Sequence, residues 1–397
     1  MYKLKGREKE GPQMKRLRVW LVPAGIGLTL AFMLLHPQAT AEAALRGFLL
    51  WGKVVLPALF PFLAAQNLLY STGAAAFMAV LLHPAAERVF RLPGAAALPV
   101  LMGFTSGFPV GAILTRQLYD ERALTLRDAE HLLAFTNNSS PLFLLGSIGA
   151  GLLASPEAGL LLLLSLYGGN LLLGLLLRFT HETRTAPRRP SLADARKALR
   201  THRTPAPLGQ LMADAIRSAF VSSATVAGFI VIFSVLAVML SCFGVFRAAA
   251  GLLPSAATFS GTLLTGLLQG ILEITLGCES AARASAPLMQ KLAVITLVCA
   301  VGGLSVFAQI MSLMGHIPIR PGRYFLCRIA QTVFSLGLLR LFSGPLLEVP
   351  VFSHAMSGGA ARLLYRFDCW TASLALLLLS LFTLLLILLC AAFYARS

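Results

Sequence analysis

Long apolar runs alternate with short basic segments along this chain, and the runs have the length of membrane crossings rather than the period of a soluble amphipathic core. A helix needs roughly 20 apolar residues to cross a bilayer. Val19 to Leu35, Glu42 to Tyr70, Leu160 to Phe179, Phe325 to Phe342 and Trp370 to Tyr394 reach or approach that length. The pattern predicts an all-α, polytopic membrane protein. Pro57 and Pro61 are expected to kink the second run. Lys53 in that run fits a side chain snorkelling to the interface, with a substrate role as the alternative. Gly73 to Leu82 is too short to cross alone and predicts a half-helix.

Two runs are interrupted. GFTSGFPVG, Gly103 to Gly111, and GILEITLG, Gly270 to Gly277, carry glycines with either hydroxyls and a proline or a carboxylate. Irregular backbone at membrane depth survives only inside protein or beside a water-filled cavity. Paired interruptions in two halves point to a transporter's binding site. The competing reading places Gly103, Gly107 and Gly111 on one face of an unbroken helix, for close backbone approach.

TNNSSP, Thr136 to Pro141, follows a segment in which Thr125 and Asp128 form the spacing of a capping box. A surface turn is one reading of it. A helix starting at Pro141, capped by Ser139 or Ser140, would instead point free amides at this polar cluster and favour an anion. VGGLSVFAQIMSLM, Val301 to Met314, is its counterpart, with Ser305 and Gln309 one turn apart on one face. Glu273 lies between apolar neighbours. A carboxylate at the bilayer centre costs at least about 2.5 kcal/mol, so such residues usually face a cavity and have a role. A neutral Glu273 would donate a hydrogen bond or carry a coupled proton; pairing with Arg283 or Lys291 is the structural alternative. Asn170 fits a helix-to-helix hydrogen bond.

Phe62 to Gly73 aligns without gaps on Phe233 to Gly244, and an interrupted segment follows in each case. Two pseudo-repeated halves are therefore expected, each with an interrupted or re-entrant helix, in parallel or inverted orientation. The chain divides into a basic N-terminus (1–18), a first half (19–179), a basic linker (180–207), a second half (208–343) and a loop with a last helix (344–397). Arg320, Arg323 and Arg328 read as a further basic interface.

Composition agrees with this division: 57% of residues are hydrophobic, 12% are charged and the formal charge is +17. The basic residues gather between apolar runs, as the positive-inside rule requires, with the N-terminus and linker cytoplasmic. Nucleic-acid binding is not expected. HPQATAEAA offers a weak cleavage site, but so long an apolar run predicts a retained helix. The six cysteines show no paired spacing, so neither disulfides nor a metal site is expected. No nucleotide loop, HExxH or catalytic triad is present, so neither enzyme activity nor a cofactor is anticipated.

The four motifs G-F-T-S-G-F-P-V-G, F-T-N-N-S-S-P-L-F, G-x-x-E-x-T-x-G and G-G-L-S-V, in this order, resemble the sporulation integral membrane proteins of the YlbJ type, the stage V sporulation protein V family. That family resembles one with two nucleoside-recognition Gate domains, similar in organisation to concentrative nucleoside transporters. The resemblance implies movement of dipicolinic acid across the outer forespore membrane of an endospore former. A nucleoside or nucleobase carrier, or a non-transporting scaffold in spore maturation, are the alternatives. Expected solute contacts are Thr105, Ser106, Gly107, Pro109, Asn137, Asn138, Ser139 and Ser140, with Gln269, Glu273, Thr275, Ser305 and Gln309 opposite. The expected partners are a small solute and the bilayer, with a homo-oligomer left open.

Overall fold

The chain begins with helices whose ends follow from proline and glycine. In the computed structural model, which describes residues 12–180, 191–252 and 261–347, α1 (Pro12–Leu35) ends before Pro37 starts α2 (Pro37–Leu50). A π-helical turn, Trp51–Val55, joins α2 to α3 (Leu56–Ser71). The predicted second span is thus part of a longer helical run, which Pro61 does not end. Gly73 then takes a left-handed φ of 77° and starts α4 (Ala74–Ala85). Chain direction turns by 92° there, and α4 is the expected half-helix.

The first interrupted segment forms α5 (Ala97–Ser106) and α6 (Val110–Asp120), with the break at Gly107 to Pro109. Side chains added at Gly103 and at Gly111 would both strike the Thr136 carbonyl oxygen. In a straight helix these glycines would stand about 12 Å apart. The segment is therefore folded back on itself as a hairpin, and the unbroken-helix alternative does not hold. Next come α7 (Leu126–Thr136), an extended stretch through Asn137 to Ser140, a π-helical segment (Leu142–Leu152) and α8 (Pro156–Leu177). The capping box at α7 forms as expected: Thr125 Oγ1 accepts from Asp128 N, and Asp128 Oδ2 accepts from Thr125 N at 3.0 Å.

Part of the basic linker is helical. There α9 (Leu192–Thr201), with its own Ser191 and Asp194 capping box, packs on α4. The second half contains α10 (Leu208–Cys242), α11 (Val245–Leu252), a hairpin of α12 (Gly261–Leu272) and α13 (Ile274–Arg283), then α14 (Leu288–Val301), α15 (Gly303–Leu313) and α16 (Pro321–Leu347). Hairpin, broken helix and long helix thus occur in the same order in both halves. Gly244 ends α10 with a left-handed φ of 70°, as Gly73 does for α3.

Among the described residues no strand occurs, and four helices are long and apolar enough to cross a membrane, or five if the bent α3–α4 pair is one span. The protein is an integral membrane protein. Helix α8 runs antiparallel to α16, with Gly168 against Leu338 and Asn170 against Arg328. The α2–α3 run is likewise antiparallel to α10: Gly47 meets Val231, and Trp51 Nε1 donates to Ser223 O at 2.9 Å.

The two hairpins open at opposite faces. Asp120, at the end of the first hairpin, lies 2.6 Å from His316, just beyond α15. Helices α14 and α15 together make one membrane-length run, Leu288–Leu313, so Leu288 and the adjoining end of α13 lie at the end of the bundle away from His316.

One expectation needs correction. Arg328 does not lie at a basic interface but is 2% exposed inside the bundle. Arg323 remains part-exposed and pairs with Glu130 at 2.7 Å. Cys278 and Cys299, unrelated in spacing, are buried with their sulfurs 3.7 Å apart, because α13 and α14 lie side by side. The last predicted helix, Trp370 to Tyr394, and all but the start of the loop Pro345 to Arg366 lie outside the described residues.

Candidate functional site

Each hairpin is held at its tip by the break in the neighbouring helix. In the first half Gly107, with φ of 81°, packs so closely on Ser140 that an added Cβ would lie 2.7 Å from its amide nitrogen. Only glycine meets both demands. Phe108 N donates to Asn138 O at 2.7 Å, and Ala112 N donates to Asn137 Oδ1 at 3.1 Å. The Tyr167 hydroxyl of α8 lies 2.8 Å from Phe104 O and 3.0 Å from Ser139 O, tying both breaks to a long helix. Ser140 Oγ accepts from Phe143 N at 3.2 Å, so the segment after Pro141 is capped by one of the two expected serines.

The second half uses different means. Gly277 is so close to Gly270 that an added Cβ would overlap the opposite backbone, which lets the hairpin close tightly. Its turn is Glu273, whose Oε2 accepts from Leu276 N at 2.8 Å and caps α13. The alternative pairing with Arg283 or Lys291 does not occur. Arg283 binds Glu279 and Lys291 donates to Ala282 O. Glu273 is 5% exposed and anchored by backbone amides rather than by a cation. Gly303 seats this turn against the carbonyls of Gly270 and Leu272.

Between the breaks lies a cavity of about 90 Å³. By this measure a water needs roughly 10–15 Å³, so several fit. Ser106, Ser139 and Ser140 line it from the first half, and Glu273, Thr275, Ser305 and Gln309 from the second. Seven of the thirteen expected contact residues thus share one space. Walls of Phe108, Phe143, Val226 and Ile230 complete it.

The remaining expected residues do not line the cavity. Asn137 is spent on the framework, since its Nδ2 also donates to Leu133 O, and Thr105 Oγ1 donates to Leu101 O. Gly107 and Pro109 shape the hairpin tip, and Gln269 O accepts from Glu273 N. Asn138 is 2% exposed with both amide atoms unpaired. Lys53 is exposed and plays no part in the cavity. Among the described residues no cluster of metal-ligating side chains is found.

Two residues that tie the framework of the site together escaped the sequence reading. Tyr167 gave no signal beyond an aromatic hydroxyl inside an apolar run. Arg328 did give one, because it falls within the predicted span from Phe325 to Phe342, where a charge calls for a role.

The hairpin and broken helix of the first half coincide with a family match. The Gate family, described as nucleoside recognition, matches residues 53–174. Over 346 residues the chain is 33% identical to the sporulation integral membrane protein YlbJ of Bacillus subtilis (strain 168), covering 84% of this chain and 85% of that protein. The chain belongs to the YlbJ family. In this YlbJ-family chain the Gate match contains every first-half polar residue of the cavity, while Glu273, Thr275, Ser305 and Gln309 lie beyond it.

Proposed function

We propose that this YlbJ-family chain carries a small anionic heterocycle through the membrane, and that the solute is dipicolinic acid crossing the outer forespore membrane during sporulation. The observation that carries the reading is the shared cavity, in which side chains from two oppositely opening hairpins meet. Under this reading the two halves are inverted repeats that rock about a central site, as in many secondary transporters. Helices beginning at the breaks start beside the cavity, where their positive dipole ends would stabilise carboxylates. Ser106, Ser139 and Ser140 donate hydrogen bonds to the solute. Glu273 sits at the second hairpin's turn, placed to carry a coupled proton.

Uptake of dipicolinate into vesicles tests the reading. Ser106→Ala, Ser139→Ala and Glu273→Gln are each expected to lower it at least about fivefold, a scale set by the loss of about 1 kcal/mol per hydrogen bond. Unchanged uptake in all three variants rejects the site.

A nucleoside carrier is the second reading, favoured by the Gate description and by the uncharged hydroxyls of Ser106, Ser139 and Ser140 in the cavity. Their hydrogen bonds would suit a neutral polar heterocycle as well as a carboxylate. Competition between nucleosides and dipicolinate for uptake separates the two.

A further inference from the structure

Behind the cavity, Arg328 is by volume the largest fully buried side chain among the described residues, and its partners are unusual. Nε donates to Ala300 O at 2.9 Å, and Nη1 lies 3.4 Å from both Ala134 O and Asn170 Oδ1. No carboxylate is among these partners. Ala134 lies in the last turn of α7 and Ala300 in the last turn of α14, just before the two breaks. Carbonyls there have no amide to pair with inside their own helix and form the negative end of its dipole. One guanidinium therefore binds the negative ends of both interrupted helices.

The spacing beyond these contacts is the same in each half. Five residues on from Ala134 is Ser139, and five on from Ala300 is Ser305; both serines line the cavity. The chain thus passes from a carbonyl end held by Arg328, through a break, to a helix start facing the cavity. A broken helix left alone sets a negative end beside a positive one at the same depth, and their fields oppose each other. Arg328 covers the negative ends and adds a full charge, which a guanidinium keeps at ordinary pH. The positive ends then act on the cavity with less opposition.

We infer that Arg328 is a specificity-determining positioning residue: it selects anionic over neutral solutes by holding the carbonyl ends of α7 and α14 away from the cavity's field. The inference rests on the proposed transport site and deepens it. Arg328 does not touch the solute, so its effect is on charge preference rather than on shape.

The experiment uses the full chain in nanodiscs, with dissociation constants measured for two probes of nearly equal shape: pyridine-2,6-dicarboxylate and the neutral pyridine-2,6-dicarboxamide. The native chain is expected to favour the dianion. Arg328→Gln should reduce that preference about tenfold, the effect of one charge acting through a partly screened interior. Arg328→Lys, which keeps the charge, should retain most of it. Asn170→Ala, which removes an acceptor but no cation, should leave the ratio of the two constants unchanged even where the protein melts earlier. A merely structural role would weaken both probes equally and leave the ratio constant. That result in Arg328→Gln overturns the inference while native binding stands. Should Arg328→Gln not yield folded protein, a tenfold loss of the preference in Arg328→Lys, which keeps the charge, overturns it as well. Failure of the native chain to bind either probe overturns the transport reading itself.

Discussion

At the first break Ser106 Oγ, Ser139 Oγ and both amide atoms of Asn138 are buried without a partner. At the second, Glu273 is bonded to Leu276 N, and Gln309 Nε2 donates to Ser305 Oγ at 3.3 Å. A buried polar group left unpaired costs about 1–3 kcal/mol, whereas a satisfied one is neutral to mildly stabilising. The two sides of the cavity therefore differ in kind. The first half holds open donors and acceptors whose cost a guest can relieve, and the second half is internally complete and supplies a rigid wall. Binding strength should reside mainly in the first half, and fold stability in the closeness of the second hairpin.

The largest expected effect tests the rigid side. Gly277→Val would drive a branched side chain into the Gly270 backbone, and overpacking of this kind costs about 3 kcal/mol or more where backbone cannot yield. The variant should lose most of its folded yield in detergent, measured by size exclusion and thermal denaturation. Native-like melting would show that hairpin closure does not hold this half together.

An intermediate effect tests the open side. Ser106→Ala removes an unpaired hydroxyl from the cavity wall and should leave stability unchanged or raised by about 1 kcal/mol, while solute affinity falls about fivefold. Titration calorimetry alongside melting curves reads both quantities. A destabilised variant with native affinity would invert the comparison.

The smallest effect sharpens it. Gln309→Ala deletes one hydrogen bond within α15 and should cost about 0.5 kcal/mol in affinity, near twofold. A loss as large as that of Ser106→Ala would mean that both sides recognise the solute alike.

Much of this arrangement was legible in the chain. The capping box at Thr125 and Asp128 is local chemistry, and it formed as expected. Both interruptions were visible because glycines, hydroxyls and a carboxylate cannot face lipid. The roles within them were less visible: Asn137 and Asn138 are adjacent and chemically identical, yet one is bonded on both amide atoms and the other on neither. That difference depends on where Ala112 N points, which no neighbour in sequence dictates. Arg328 shows the same limit. Its charge inside a predicted span signalled a role, but its partners at Ala134 and Ala300 lie 194 and 28 residues away.

What the chain determined by itself was the all-α class, the apolar runs Leu160 to Phe179 and Phe325 to Phe342 that match two of the four membrane-length helices, and the positions of the breaks, because backbone without water must hydrogen-bond within its own helix and apolar length is counted along the chain. Tertiary structure alone decided that the first interruption folds into a hairpin, that the hairpins open at opposite faces, and which polar atoms stay unpaired at the cavity. Those outcomes depend on close contacts between distant segments, such as Gly103 and Gly111 against Thr136 and Gly270 against Gly277. Such contacts are selected by packing geometry, which a local pattern of residue types does not encode.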